Sequence, residues 1–139
     1  MDLSSVNVVA VIVAGLAGFV ANFAWFGPLK MYDRWNRALG RTEPLTPEDM
    51  PPAPQLFGLT ILAMIAQAAT VALILFAMYD APSVGQGLCV GATLGIGIAA
   101  TSSLGHRLFS AQGLKVWLIE IGADVVVAAL IGLVVAAIG

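Results

Sequence analysis

The stretch WFGPLKMYDRWNRALGR, Trp25 to Arg41, decides the fold of this chain. It follows a long apolar run and holds four of the six basic residues, namely Lys30, Arg34, Arg37 and Arg41. The other two, Arg107 and Lys115, flank a second short connection between apolar runs. If the apolar runs cross a membrane, all the positive charges fall on one side. The positive-inside rule predicts that this side is the cytoplasm.

The composition indicates a membrane protein. Of the 139 residues, 60% are hydrophobic and 10% are charged, and the mean hydropathy is +0.96. Soluble domains average about 45–50% apolar and roughly 25% charged residues. A net charge of −2 gives no reason to expect nucleic acid as a partner. The single cysteine, Cys89, lies within an apolar run, where we expect it to pack as a small hydrophobic residue.

Four stretches are long and apolar enough to cross the hydrocarbon core, which takes about 20 helical residues. We predict a single domain with spans at residues 6–26, 56–79, 87–108 and 116–138. Residues 27–55 then form a cytoplasmic connection, and both termini lie outside. The predicted fold class is an all-α integral membrane protein with a short interfacial helix after the first span, and the lipid bilayer is its first partner.

The segment after the first span has the features of an interfacial anchor. Aromatic residues favour the membrane boundary, and basic residues on the remaining surface suit a helix that lies along it. The predicted anchor consists of Trp25, Tyr32, Trp35, Lys30, Arg34 and Arg37. We favour a plain stop-transfer anchor over the alternative, a specific lipid-binding or partner-binding site.

Small residues recur at every fourth position in two of the spans. They are Ala10, Ala14 and Gly18 in the first span, and Gly87, Gly91, Gly95 and Ala99 in the third. Faces of this kind let helices approach closely in lipid. The pattern predicts a tight contact with another helix, in the same chain or in a neighbouring copy.

Glu120 and Asp124 are the only ionisable residues well inside a predicted span. They are four residues apart and share a helix face. A tight hairpin of the last two spans would bring further polar groups within reach, namely His106, Arg107, Thr101, Ser102 and Ser103.

Two interpretations of this polar cluster remain open. In the structural one, Arg107 pairs with Glu120, while Asp124 bonds to the hydroxyls or holds a proton. In the functional one, Glu120 and Asp124 form a proton or cation site, with His106 as a relay. A metal site is the weakest interpretation, because the spacing matches no known motif.

The combined pattern resembles the small four-span bacterial membrane family called domain of unknown function 1761. The likeness lies in WFGPL at Trp25 to Leu29, in the aromatic-basic segment that ends at Leu39 and Gly40, and in LIEIG at Leu118 to Gly122. The resemblance implies a multi-pass protein of the bacterial inner membrane and promises no activity.

The sequence contains no nucleotide loop, nucleophile elbow or zincin motif. We therefore expect no enzyme, no catalytic residue, no cofactor and no metal. We expect a non-catalytic subunit or scaffold that packs with itself or with a larger inner-membrane complex. The alternative is a small oligomeric proton- or cation-coupled transporter that uses Glu120 and Asp124.

Overall fold

The computed structural model describes residues 6–43 and 45–139, and their regular structure is helical. The α-helices are α1 (Val8–Phe26), α2 (Met31–Ala38), α3 (Ala53–Met78), α4 (Val84–Leu94), α5 (Thr101–Phe109) and α6 (Gly113–Ile138). A π-helical segment, Gly95–Ala100, joins α4 to α5, and a short 3-10 helix, Pro47–Asp49, lies in the long connection.

Four of these helical stretches are long and apolar enough to cross a membrane, and they are Val8–Phe26, Ala53–Met78, Val84–Phe109 and Gly113–Ile138. This result confirms the predicted all-α membrane fold. The last three helices begin at Ala53, Val84 and Gly113, earlier than the predicted starts at 56, 87 and 116, because the first three residues of each include polar, glycine or proline residues that lower the hydropathy.

Local chemistry fits two of these starts, through a capping box in α4 and a first-turn proline in α3. In α4 the Ser83 hydroxyl accepts from the Gln86 backbone N–H at 3.3 Å, and the Gln86 side chain accepts from the Ser83 N–H at 2.8 Å. This reciprocal arrangement is a capping box. In α3 the first turn includes Pro54, which is tolerated because first-turn N–H groups have no helical partner.

α6 is the central helix of the bundle. It contacts α1, α3 and α4, and near its first turns also α2 and α5. Its residues Val127, Ile131 and Val135 are almost fully buried and form a core with Val71 and Leu75 of α3. A shift of α6 would therefore disturb every other span.

The small-residue face of the third span lies directly against α6. An added Cβ on Gly87 would overlap the Gly132 carbonyl oxygen, and one on Gly91 would overlap that of Ala128. A Cβ on Gly95 would lie 2.9 Å from the backbone of α6. Backbones this close leave no room for a larger side chain. The contact that the spacing predicts is thus made within the chain.

The first span uses small residues in the same way, on two sides. Ala10, Ala14 and Gly18 are buried. A Cβ on Gly18 would lie 2.9 Å from the Ile131 side chain of α6, and one on Gly15 would lie 2.8 Å from Ile65 of α3. α1 therefore fits between α3 and α6.

Gly91→Leu should destabilise the bundle by on the order of 3 kcal/mol, because the new side chain meets backbone that cannot rotate away. Gly58→Leu is the matched control, since a Cβ at Gly58 meets nothing within 4 Å. Thermal unfolding of both purified variants in detergent measures the effect. Equal unfolding temperatures would contradict the close contact.

Candidate functional site

The candidate site is centred on the carboxylate of Glu120, near the start of α6. The Trp35 indole N–H donates to Oε1 at 2.8 Å, and Arg107 Nε donates to Oε2 at 2.6 Å. The Glu120 side chain is only 17% exposed. Because Trp35 belongs to α2 and Arg107 to α5, this one carboxylate joins three helices. We call these three residues the Glu120 clamp.

Arg107 is held by the turn that follows it. Its Nη1 donates to the Gln112 side-chain oxygen at 2.7 Å, and the Gln112 N–H donates to the Arg107 carbonyl at 3.0 Å. Ala111 and Gly113 have positive φ angles of 55° and 81°, which reverse the chain within a few residues. The tight turn therefore directs Arg107 back towards α6.

Trp35 is held by aromatic and cationic neighbours. Its ring stacks on Tyr32 at 5.9 Å between centroids and meets Phe26 edge-on at 6.5 Å. The Arg41 guanidinium lies 5.2 Å from the ring centroid and also donates to the buried Asn36 side chain at 3.0 Å. These contacts hold the indole in the orientation in which it donates to Glu120.

The other two tryptophans also donate to this end of the bundle. Trp25 donates to the Ile119 carbonyl of α6 at 3.2 Å, and Trp117 donates to the Ala100 carbonyl at 3.0 Å. Ala100 ends the π-helical segment, where irregular pairing makes backbone carbonyls available to side chains. Each tryptophan of the chain thus links two helical elements.

The hydroxyl groups near the end of the third span donate to their own helix. Thr101 donates to the Gly97 carbonyl at 2.7 Å, and Ser103 to the Ala100 carbonyl at 3.2 Å. Ser102 does the same with Ala99 at 3.3 Å. These groups therefore do not form the bond to Asp124 that one interpretation anticipated.

Asp124 lies apart from these hydroxyls because of the hairpin register. Gly95 lies beside Val125, and Ala100 bonds to Trp117, so residues 101–103 lie about two turns nearer the basic end. Asp124 is half-buried, and no group within residues 6–43 and 45–139 makes a hydrogen bond to its carboxylate. It remains one turn from Glu120 on the same helix.

His106 is exposed and is not a partner of Glu120. Within the part of the chain that the structure describes, no three His, Cys, Asp or Glu side chains come together as a metal site. The structure therefore brings together Glu120 and Arg107 from the predicted polar cluster, keeps Asp124 one turn from Glu120 on α6, and leaves His106 and the three hydroxyl residues apart.

Trp35 is the member that sequence reasoning missed. The sequence places Trp35 in the interfacial anchor, where an indole faces lipid headgroups, whereas in the structure it is half-buried and donates to Glu120. The signal was indirect: a carboxylate inside a bundle has two oxygens to satisfy, and an indole N–H on a neighbouring segment is a donor that can reach one of them.

Four membrane-length helices around a clamped carboxylate define this chain as a multi-pass helical membrane protein. Over residues 9–136 it matches the model of a protein family of unknown function, domain of unknown function 1761, and it belongs to that family. This match confirms the resemblance noted from the sequence. No curated protein and no solved structure matches the chain.

Glu120→Gln should lower the free energy of unfolding by about 1–3 kcal/mol, since the amide can still accept from Trp35 but leaves Arg107 without a counter-charge. The value lies below that of a fully buried pair because the Arg107 side chain is 35% exposed. Asp124→Asn is the matched control and should have a much smaller effect. Chemical unfolding in mixed micelles measures both, and a larger loss for Asp124→Asn would contradict the clamp.

Proposed function

We propose that this protein is a non-catalytic membrane subunit that assembles with a second copy of itself. The supporting observation is a second small-residue face on the third span, turned away from α6. We call it the outer face, and its residues recur at every fourth position: Gly85, Cys89, Thr93, Gly97 and Thr101. All of them are exposed in the single chain.

The outer face offers the room that a close helix contact needs. A Cβ added at Gly85 or Gly97 meets nothing within 4 Å, in contrast to Gly91 on the opposite side. In lipid, helices associate through van der Waals contact between small residues and through hydroxyl hydrogen bonds. A second copy presenting the same face supplies both, and a larger complex could use the same surface.

The state of Glu120 also favours a structural role. Both of its oxygens accept hydrogen bonds from side chains, and these bonds offset the cost of burying the carboxylate. One groove lies between α1 and α3 and two lie beside α2, and neither Glu120 nor Asp124 lines any of these three. A carboxylate used in this way holds helices together.

The proposed setting is the bacterial inner membrane, with the basic end in the cytoplasm and both termini outside. The support is the one-sided distribution of charge. All six Lys and Arg residues lie at the end of the bundle where α1 and α5 finish and α6 begins. Basic residues next to spans are retained on the cytoplasmic side.

Oxidative cross-linking of native Cys89 tests the self-assembly directly. Cys89 is exposed on the outer face, and a disulfide requires Cα atoms about 4.4–6.8 Å apart, as a close helix pair provides. Copper phenanthroline added to membranes should convert most of the protein to a covalent dimer. Gly97→Leu should abolish that dimer while the single chain keeps its fold, because within the chain the leucine is added to open space.

A moved cysteine provides the control for random collision. Cys89→Ser combined with Leu62→Cys places the thiol on α3, at a position 62% exposed. It should cross-link weakly. Equal cross-linking at both positions, or a Cys89 dimer unaffected by Gly97→Leu, would overturn the proposed assembly.

Asp124 supports a second candidate, proton- or cation-coupled transport. It is a half-buried carboxyl without a hydrogen-bond partner in the described residues, one turn from Glu120. A carboxyl inside a span is a functional hypothesis by default. If this candidate holds, Asp124→Asn should keep the fold and abolish flux in proteoliposomes loaded with a pH-sensitive dye. Unchanged proton flux in Asp124→Asn would eliminate it.

A further inference from the structure

A groove of about 520 Å³ lies between α2 and the first turns of α6. Its basic side consists of Arg34, Arg37 and Lys115, and its apolar side consists of Ala38, Leu118 and Ile119. We call it the basic groove. Its cations come from two helices far apart in sequence, so the groove exists only because α2 packs on α6.

The three cations are available to a ligand. All three side chains belong to exposed residues, and the ion pair of the described chain, Arg107 with Glu120, does not involve them. Within the described residues, Arg37 donates to the Asp33 backbone carbonyl at 3.3 Å and Arg34 donates to the Met31 sulfur at 4.0 Å, so neither donates to a carboxylate. Arg37 also lines a neighbouring groove together with Asp33 and Glu43, but within the described residues neither carboxylate forms an ion pair with it. Among the residues that the structure describes, no carboxylate forms an ion pair with the three cations of the basic groove.

The groove is polar at one end and apolar at the other. Leu118 follows Lys115 by three residues, which is roughly 4.5 Å deeper along α6. Leu118 is 58% exposed. It continues the apolar side along a helix that enters the bilayer. The cations lie nearer the membrane surface and the apolar side chains lie deeper. This arrangement matches a molecule with an anionic head and an acyl chain.

We propose that the basic groove binds an anionic phospholipid. Arg34, Arg37 and Lys115 contact its phosphate, and one acyl chain lies along Leu118 and Ile119. Guanidinium groups bind phosphate oxygens in pairs, whereas lysine acts as a point charge. Basic pockets between helices at a membrane surface are suited to such headgroups. A free phosphate or a phosphopeptide would use the charges but leave the apolar side unfilled.

Native mass spectrometry of the full-length protein in detergent tests the proposal, with phosphatidylglycerol and phosphatidylcholine as competing lipids. The wild type should retain phosphatidylglycerol preferentially. Lys115→Gln should weaken that retention about fivefold, the contribution of one basic residue near an anionic surface. Lys30→Gln removes the same charge from an exposed residue outside the groove and should retain the wild-type preference.

Three outcomes would overturn the proposal. Equal weakening by Lys115→Gln and Lys30→Gln would mean diffuse surface attraction. Displacement of phosphatidylglycerol by millimolar inorganic phosphate, with no preference between the two lipids, would identify a free anion as the occupant. Tighter binding of a phosphoserine peptide than of phosphatidylglycerol, again lost in Lys115→Gln, would assign the groove to a protein partner.

Discussion

The carboxylate of Glu120 is the constraint on which the basic end of this molecule depends. An ionisable group inside a span is costly unless other groups compensate it. Here the compensation comes from Trp35 on α2 and Arg107 on α5, so satisfying one side chain on α6 positions both neighbouring elements. α6 also contacts α1, α3 and α4. A change at the clamp that shifts α6 would therefore alter its packing against these three helices.

The third span packs against α6 in two different ways along its length, first through backbone contacts and then through side chains. Up to Gly95 it lies backbone against backbone on α6, as the positions of Gly87 and Gly91 require. Near the basic end, the Trp117 side chain bonds to Ala100, and an indole between two helices needs more space than a glycine contact. The π-helical segment Gly95–Ala100 lies between these two kinds of contact, and it allows the helix axis to change direction there.

Much of the fold could be predicted because hydrocarbon thickness and hydropathy act locally. The four spans follow from length and composition, whereas starts such as Val84 depend on a capping box that hydropathy does not register. The small-residue face predicted a close contact but could not name the partner helix. The Arg107 to Glu120 pair followed from a short hairpin, since few residues separate the two.

The remaining features of the site depend on tertiary packing that sequence spacing does not encode. The bond from Trp35 requires α2 to fold back on α6, and a tryptophan on a basic amphipathic helix is equally typical of a lipid-facing anchor. The separation of Asp124 from Thr101 depends on the hairpin register. That register is set by the positive φ angles at Ala111 and Gly113 and by the π-helical segment.

The most direct test of the clamp is a double-mutant cycle on Arg107→Gln and Glu120→Gln, measured as free energies of unfolding in mixed micelles. The account predicts that the double variant loses less stability than the two single variants together, by about 1–3 kcal/mol, because each single variant strands one partner. Losses that add to within about 0.5 kcal/mol would show that the two groups do not stabilise each other, and would contradict the account.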